Sequence, residues 1–122
     1  FFPAHTTRVF VPGEVDVVSG VGYNPAKRVA GGNYSGVDLR RIVTNLCVMD
    51  FGGADNAVRV VSLHPGVTFE EVQEATGFAL EKGDCTQTPL PSSGQLEIIA
   101  GLDPHNIRAS VLKDNASARR AA

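Results

Sequence analysis

The stretch "VSLHPGVTFEEVQEATGF", residues 61–78, carries the clearest structural signals in the chain. Thr68 is followed three residues later by Glu71, the spacing of a capping box, in which each side chain satisfies a backbone N–H at the start of a helix. Gly77 can adopt the left-handed conformation that ends a helix. The stretch therefore predicts an apolar strand, a Pro-Gly turn and a short helix that begins at Phe69.

The composition describes one domain with a packed core. The chain has 122 residues, of which 43% are hydrophobic, enough to bury a core at this length. Its net charge is -2, and its eleven Lys and Arg residues are scattered rather than clustered, which argues against a nucleic-acid partner.

Localisation is predicted from what the sequence lacks. Its longest apolar runs fall well short of the roughly 18 residues that a membrane helix needs, so no membrane association is expected. The N-terminus does not show the charged-then-apolar pattern of a signal peptide, and we predict a cytoplasmic protein. The sequence starts at Phe1 without an initiator methionine, which suggests processing, a split chain or a fragment.

The two cysteines do not suggest a metal site. Cys47 and Cys85 lie 38 residues apart, and neither belongs to a C-x-x-C pair. Their spacing alone leaves a disulfide open, but two cysteines in a chain of this size favour a reduced intracellular protein. Cys47 lies in an apolar strand pattern and is predicted to be a small core residue.

Alternating apolar residues predict several strands. Residues 7–11 and 14–20 are β-rich runs separated by a Pro-Gly turn, and residues 20–36 have the composition of a long surface loop. Residues 40–51 and 57–64, joined by "GGADN", predict a β-hairpin. Neither face of its second strand is cleanly polar, so both faces are expected to be covered.

The last third of the chain predicts one more helix. Residues 83–91 are polar and contain proline, and we interpret them as a connection. Ser92 and Gln95 form a second capping box before a short apolar helix that ends at Gly101. Residues 109–122 are predicted to be a frayed tail. Two short helices cannot cover about five strands, so another polypeptide must supply the missing layer.

The histidines offer little evidence of catalysis. His64 follows a strand, where a general base could act if a carboxylate and a nucleophile converged on it, but the neighbouring sequence supplies neither. We predict that its ring donates to a backbone carbonyl and fixes the turn. His5 and His105 lie in predicted loops and have weaker claims. The three histidines show no local ligand spacing, so no metal is predicted.

The segment "SGVGY", residues 19–23, is the best candidate for ligand contact. It follows a predicted strand, offers backbone N–H groups with little side-chain cover and ends in a tyrosine hydroxyl. The alternative is a tight turn with the tyrosine packed on the surface. The predicted substrate-binding residues are Ser19, Gly20, Gly22 and Tyr23.

Three motifs carry a resemblance to a known family. "RRIVTNLCVMDFG", "VRVVSLHPGVTFEEVQEATGF" and "LDPHNI" occur in order, and residues 7–108 resemble the C-terminal part of the β subunit of family I CoA transferases. The resemblance implies an open α/β sheet, of which this segment supplies a β-hairpin and two short helices. Residues 1–108 would be the C-terminal portion of the β-subunit domain and residues 109–122 a flexible tail. The missing layer would come from the N-terminal part of the β subunit and from an α subunit.

A further segment, "RVFVPGEVDVVSGVGY", bears on the branch. Glutaconate transferases show a segment like F-V-E-K-V-D-F followed by T-S-P-G-Y, whereas here the turn is longer and Val21 replaces the proline. The segment resembles more closely the related subunit of the steroid ring-opening CoA hydrolases. The resemblance implies an acyl-CoA substrate, with coenzyme A as part of that substrate and no separate cofactor.

The reaction and the catalytic group stay open between three alternatives. A transferase would attack the thioester with a carboxylate, and a hydrolase would use a carboxylate to activate water or polarise a ring carbonyl. None of the six glutamates in this sequence lies in the S-E-x-G-like motif of the transferases. The resemblance therefore implies that the chain holds no catalytic residue. The third alternative is a non-catalytic assembly module that retains the scaffold.

Overall fold

The computed structural model describes residues 1–111. In that part of the chain one four-stranded sheet has the order β1-β2-β3-β4. Its strands are β1 (Ile42–Val43), β2 (Cys47–Asp50), β3 (Arg59–Leu63) and β4 (Glu81–Gln87). The helices are α1 (Phe69–Glu74), α2 (Ser93–Leu102) and α3 (Arg108–Val111), with single 3-10 turns at Pro25–Lys27 and Ala54–Asn56. Helix α3 includes the start of the predicted tail, and residues 112–122 lie outside the described residues.

The predicted hairpin is confirmed. Strand β2 is antiparallel to β3, and Cys47 faces Leu63 across the pair. Strand β1 is also antiparallel to β2, so the chain makes a second, tighter hairpin that the sequence did not predict. The side chains of Cys47, Met49 and Val60 are fully buried and form the centre of the core. The alternation read from the sequence thus matches the buried face of the sheet.

Both predicted capping boxes are confirmed. In α1 the Glu71 N–H donates to Thr68 Oγ1 at 3.2 Å, and the Thr68 N–H donates to the Glu71 carboxylate at 2.8 Å. Ser92 and Gln95 make the same reciprocal pair at the start of α2. Helix α2 continues one residue past the predicted end at Gly101. These contacts span three residues, so the local sequence is sufficient to specify them.

The prediction of a connection over residues 83–91 is wrong, because residues 81–87 form β4. This strand pairs in parallel with β3, and α1 is the crossover between them, as parallel pairing requires. Strand β4 lies at the edge of the described sheet, where one face and one edge are open and polar residues are tolerated. Its sequence, "EKGDCTQ", therefore carries no apolar strand pattern.

The two predicted N-terminal strands are also wrong. Residues 7–11 and 14–20 form turns, bends and irregular backbone in the structure. Both the Val9 and Phe10 N–H groups donate to the Thr6 carbonyl at 2.9 Å, and Val17 is 82% exposed. A run of β-branched residues becomes a strand only where a partner strand is available, and within residues 1–111 none lies beside these runs. The segment 19–23 therefore does not follow a strand.

Gly77 has a different role from the one predicted. Helix α1 ends at Glu74 with Ala75 as its C-cap in the right-handed conformation, and Gly77 is not among the residues with positive φ. Its N–H donates to the Phe10 carbonyl at 2.7 Å. A Cβ at this position would lie 2.6 Å from the Pro12 ring and 2.7 Å from that carbonyl oxygen. The N-terminal segment needs glycine here because the two backbones approach so closely.

Replacing Gly77 by alanine should lower the free energy of unfolding by about 1–3 kcal/mol, because the new methyl group meets rigid backbone and ring atoms. The measurement is thermal or urea-induced unfolding. Gly101→Ala is the matched control, since Gly101 lies in α2 with no atom within 4 Å of a new Cβ. It should be neutral or slightly stabilising. Equal stability of the two variants would contradict the close approach.

Helix α2 is uncovered in the described structure. Every one of its residues is exposed, and Leu102 is 81% exposed although it belongs to an apolar helix. The shortage of covering layers predicted from the sequence is therefore visible in the fold. Within residues 1–111, the helices are all too short or too polar to cross a bilayer.

Candidate functional site

The predicted binding segment lies beside the end of β2. The Tyr23 hydroxyl donates to the Leu39 carbonyl at 3.2 Å and accepts from the Leu39 N–H at 2.8 Å. Its ring meets Phe51, just after β2, edge-on with centroids 5.5 Å apart. Gly22 has a φ of +52° and approaches the Leu39 side chain. These contacts fasten the segment to two later parts of the chain.

A cavity of about 480 Å³ opens at this place. Its wall consists of residues 38–41, before β1, and residues 50–52, at the end of β2. Tyr23 holds Leu39 and Phe51, which both belong to that wall. Ser19 and Gly20 are exposed and are not part of the lining. The structure thus brings Gly22 and Tyr23 to the cavity wall, and substrate binding by the four residues stays a prediction.

An ion pair that the sequence did not predict closes one side of the cavity. Asp50 and Arg59 face each other across β2 and β3, with Arg59 Nε 3.1 Å from Oδ1 and Nη2 2.9 Å from Oδ2. The Gly52 N–H also donates to Oδ1 at 3.0 Å. The hydrogen bond from Arg59 is the main cause that lowers the pKa of Asp50. The signal for this pair is the hairpin register, which the sequence does not fix.

His64 has the structural role that the sequence predicted. Its Nε2 lies 2.9 Å from the Thr44 carbonyl oxygen, which can only accept, so this nitrogen carries the proton. Its Nδ1 lies 3.0 Å from Thr88 Oγ1 and accepts from that hydroxyl. Both ring nitrogens therefore bind polar groups of the fold. This arrangement does not provide a general base.

His5 is a buried residue that the sequence analysis undervalued. Its side chain is 4% exposed and stacks on Phe10 with centroids 4.1 Å apart. Nδ1 lies 3.0 Å from Thr44 Oγ1, and Nε2 lies 2.9 Å from Thr76 Oγ1. Burial lowers the pKa of His5 from about 6.5 to about 4. Nothing in the local sequence marks this site, because its partners lie 39 and 71 residues away.

The thiols and carboxylates of the described chain have structural surroundings. Cys47 and Cys85 are free, which decides the question of a disulfide, and burial raises the pKa of Cys47 to about 11. Glu71 caps α1, and Glu81 accepts from the Ala54 N–H at 2.9 Å. Among residues 1–111, His, Cys, Asp and Glu side chains do not assemble in groups of three or more that could hold a metal ion.

The fold is that of a CoA-transferase-like α/β subunit. The structure matches the crystal structure of Rhodococcus jostii IpdAB with a TM-score of 0.79 and 40% identity, over 91% of this chain and 45% of that one. It also matches the decarboxylase AibA/AibB with a TM-score of 0.70, over 91% and 40% of the two chains. At 23% identity the second match supports the fold alone.

The sequence relatives define the branch. The chain is 46% identical over 112 residues to the cholesterol ring-cleaving hydrolase IpdB subunit of Mycobacterium tuberculosis, covering 85% of this chain and 42% of that protein. It is 38% identical over 69 residues to a 3-oxoadipate CoA-transferase subunit of Pseudomonas knackmussii, covering 56% and 26% of the two proteins. No family model matches the sequence.

The chain is homologous to the β subunits of CoA transferases, on the branch that contains the IpdB subunits. The resemblance carried by the three sequence motifs is thereby confirmed. The chain spans about two fifths of the length of the IpdB subunits that it matches.

Proposed function

We propose that this chain is part of the β subunit of a heteromeric CoA-transferase-family enzyme that acts on an acyl-CoA thioester. The preferred reaction is hydrolytic ring opening of a CoA-linked sterol degradation product. The observation that carries the proposal is the 46% identity to an IpdB subunit over 85% of the chain, supported by the structural match to IpdAB.

In this proposal the chain forms part of the substrate site and the reacting carboxylate lies on another polypeptide. Glu14 pairs with Lys27 and Glu71 caps α1, so these glutamates serve the fold. The contribution of this chain is the wall held by Tyr23, next to the cavity of about 480 Å³. Coenzyme A enters as part of the substrate, and the proposal needs no separate cofactor.

The proposed partners are an α subunit and the N-terminal part of the β subunit. The matched R. jostii structure is that of IpdAB, and its IpdB component is described as a subunit. The exposed α2 gives such partners an apolar surface to cover. The proposal includes a cytoplasmic location, which the free thiols of Cys47 and Cys85 support.

A second candidate function is transfer of CoA between carboxylic acids. The 38% identity to a 3-oxoadipate CoA-transferase subunit favours it, over 56% of the chain. The test is to co-express the complete β subunit with its α partner and to follow acyl-CoA consumption with and without a carboxylate acceptor. Turnover that needs only water supports the hydrolase, and turnover that needs the acceptor supports the transferase. An assembly that consumes no acyl-CoA would support a non-catalytic module instead.

Within that enzyme, replacing Tyr23 by phenylalanine should lower kcat/KM by about tenfold, because the wall loses two hydrogen bonds worth about 1 kcal/mol each. Gly22→Val should also impair turnover, since φ is +52° there. The measurement is steady-state kinetics. Tyr34→Phe is the matched control, because the Tyr34 hydroxyl accepts from the Val29 N–H at 2.9 Å outside the cavity wall. Unchanged kinetics in both site variants would remove the segment from the site.

A further inference from the structure

The charged groups of the cavity do not neutralise one another evenly. The wall contains Asp38, Arg40, Arg41 and Asp50, and Arg59 reaches Asp50 from β3. Three guanidinium groups therefore meet two carboxylates, which leaves one positive charge in a chain whose net charge is negative. The hydrogen bonds identify the group that carries this charge.

Two of the arginines are fully engaged. Arg40 Nε donates to Asp38 Oδ2 at 2.7 Å, and its Nη2 lies 2.6 Å from the same oxygen. Arg59 makes a two-pronged contact with both oxygens of Asp50. Such short contacts are typical of strong charge-assisted hydrogen bonds. Each carboxylate of the wall thus already has a guanidinium partner.

Arg41 is the arginine that remains available. Its Nη1 donates to the Arg40 carbonyl at 2.8 Å and lies 3.5 Å from Asp50 Oδ2, too far for a strong hydrogen bond. Among residues 1–111 its Nε and Nη2 have no hydrogen-bond partner, and the side chain is 56% exposed. These two atoms form the edge that binds carboxylate and phosphate in a bidentate manner.

We propose that Arg41 binds an anionic group of the CoA-linked ligand, either a phosphate of the CoA part or a carboxylate of the acyl part. The inference rests on the proposed function, because that function supplies an acyl-CoA to this cavity. The cavity, at about 480 Å³, has room for one such arm of a ligand. Phosphate and carboxylate share the paired oxygens that a guanidinium recognises.

Tyr23 acts on Arg41 through Leu39. The tyrosine hydroxyl holds both polar backbone atoms of Leu39, two residues before Arg41 in the same stretch of wall. Tyr23 is therefore a positioning residue for the anion site, and its loss should weaken the same ligand interactions that Arg41 makes. This connects the segment 19–23 to ligand binding without a direct contact.

The test uses the complete β subunit assembled with its α partner. Binding of CoA is measured by calorimetry, and KM is measured with acyl-CoA, for wild type, Arg41→Gln and Arg41→Lys. We expect Arg41→Gln to weaken binding at least tenfold, because a hydrogen-bonded charge is lost, and Arg41→Lys to retain part of the affinity. Arg108→Gln is the control, since Arg108 makes a similar loose pair with Asp103 at 3.4 Å, away from the cavity.

The ligands distinguish the two sources of the anion. A penalty that vanishes with dephospho-CoA or with a phosphate-free pantetheine thioester supports Arg41 as a phosphate site. A penalty that persists with the pantetheine thioester and vanishes when the acyl carboxylate is esterified supports a carboxylate site. If Arg41→Gln binds every ligand as the wild type does, the inference is overturned.

The outcomes for the inference and for the proposed function can be told apart. Wild-type turnover with unchanged Arg41→Gln affinity and KM overturns the anion site and leaves the proposed function standing. Arg41-dependent binding of CoA without any turnover supports the anion site and contradicts the proposed reaction. Absence of CoA binding by the wild type overturns both.

Discussion

Lowering the pH from 7.5 to 5 should reduce the free energy of unfolding by about 2 kcal/mol through His5 alone. The folded protein holds the pKa of His5 at about 4, against an ordinary value near 6.5. The unfolded chain therefore binds the proton more readily, and its stability relative to the fold grows as the pH falls. The loss begins near pH 6.5, and it reaches about 3 kcal/mol at pH 4.

The hydrogen bonds around His5 give the physical reason. Thr76 Oγ1 donates to the Val72 carbonyl at 2.7 Å, so it accepts from His5 Nε2. Thr44 Oγ1 accepts from the N–H groups of Leu46 and Cys47, so its own proton can go to His5 Nδ1. A second proton on the ring would point at a hydroxyl that already accepts two hydrogen bonds. The site therefore accommodates only neutral imidazole.

The measurement is the pH dependence of thermal unfolding for wild type and His5→Phe. Phenylalanine can keep the stacking on Phe10 but cannot be protonated. The wild type should lose several degrees more than the variant between pH 7.5 and 5. His105→Gln is the control, because His105 lies in an exposed loop, and it should retain the wild-type slope. A His5→Phe protein with the full wild-type slope would show that another group is responsible.

Expressed alone, residues 1–122 should have no detectable turnover of acyl-CoA and should associate through exposed apolar surface. Glu14, Glu71 and Glu81 have structural partners, and none of the six glutamates lies in the motif that supplies the family's nucleophile. Apolar residues of α2 such as Ile98 and Leu102 are 64% and 81% exposed, more than a stable monomer usually leaves on one helix. The measurements are oligomeric state, dye-detected apolar exposure and acyl-CoA turnover.

Complementation and a surface variant complete this experiment. Adding the rest of the β subunit and the α subunit should restore turnover and abolish the dye signal. The variant Ile98→Glu/Leu102→Glu should reduce dye binding by the isolated chain if α2 is the exposed surface. A soluble, monomeric and catalytically active chain of 122 residues would refute the prediction.

Several parts of the fold follow from short stretches of sequence. Each capping box joins residues three apart, as Thr68 and Glu71 do, so its geometry depends only on the local backbone. The turn at Gly66, where φ is +76°, and the β2–β3 hairpin also depend on neighbouring segments. The burial of Cys47 follows from alternation along one strand.

The candidate site could be predicted only in part. The composition of "SGVGY" pointed to the right segment of wall for Gly22 and Tyr23, whereas Ser19 and Gly20 are outside the lining. The basis for that prediction was wrong, since the segment follows no strand within the described residues. The cavity itself could not be predicted, because its wall joins residues 38–41 to residues 50–52 through the register of β1 and β2.

The sequence by itself determined the helix starts, the hairpin, the core position of Cys47 and the family resemblance, because each depends on spacing along a short stretch. Only the tertiary structure decided that residues 81–87 form a strand and that residues 7–20 do not, since strand formation requires a partner edge. It also decided the neutral state of His5 and the pairing that leaves Arg41 available. Those properties arise from contacts between residues far apart in sequence, which no local pattern encodes.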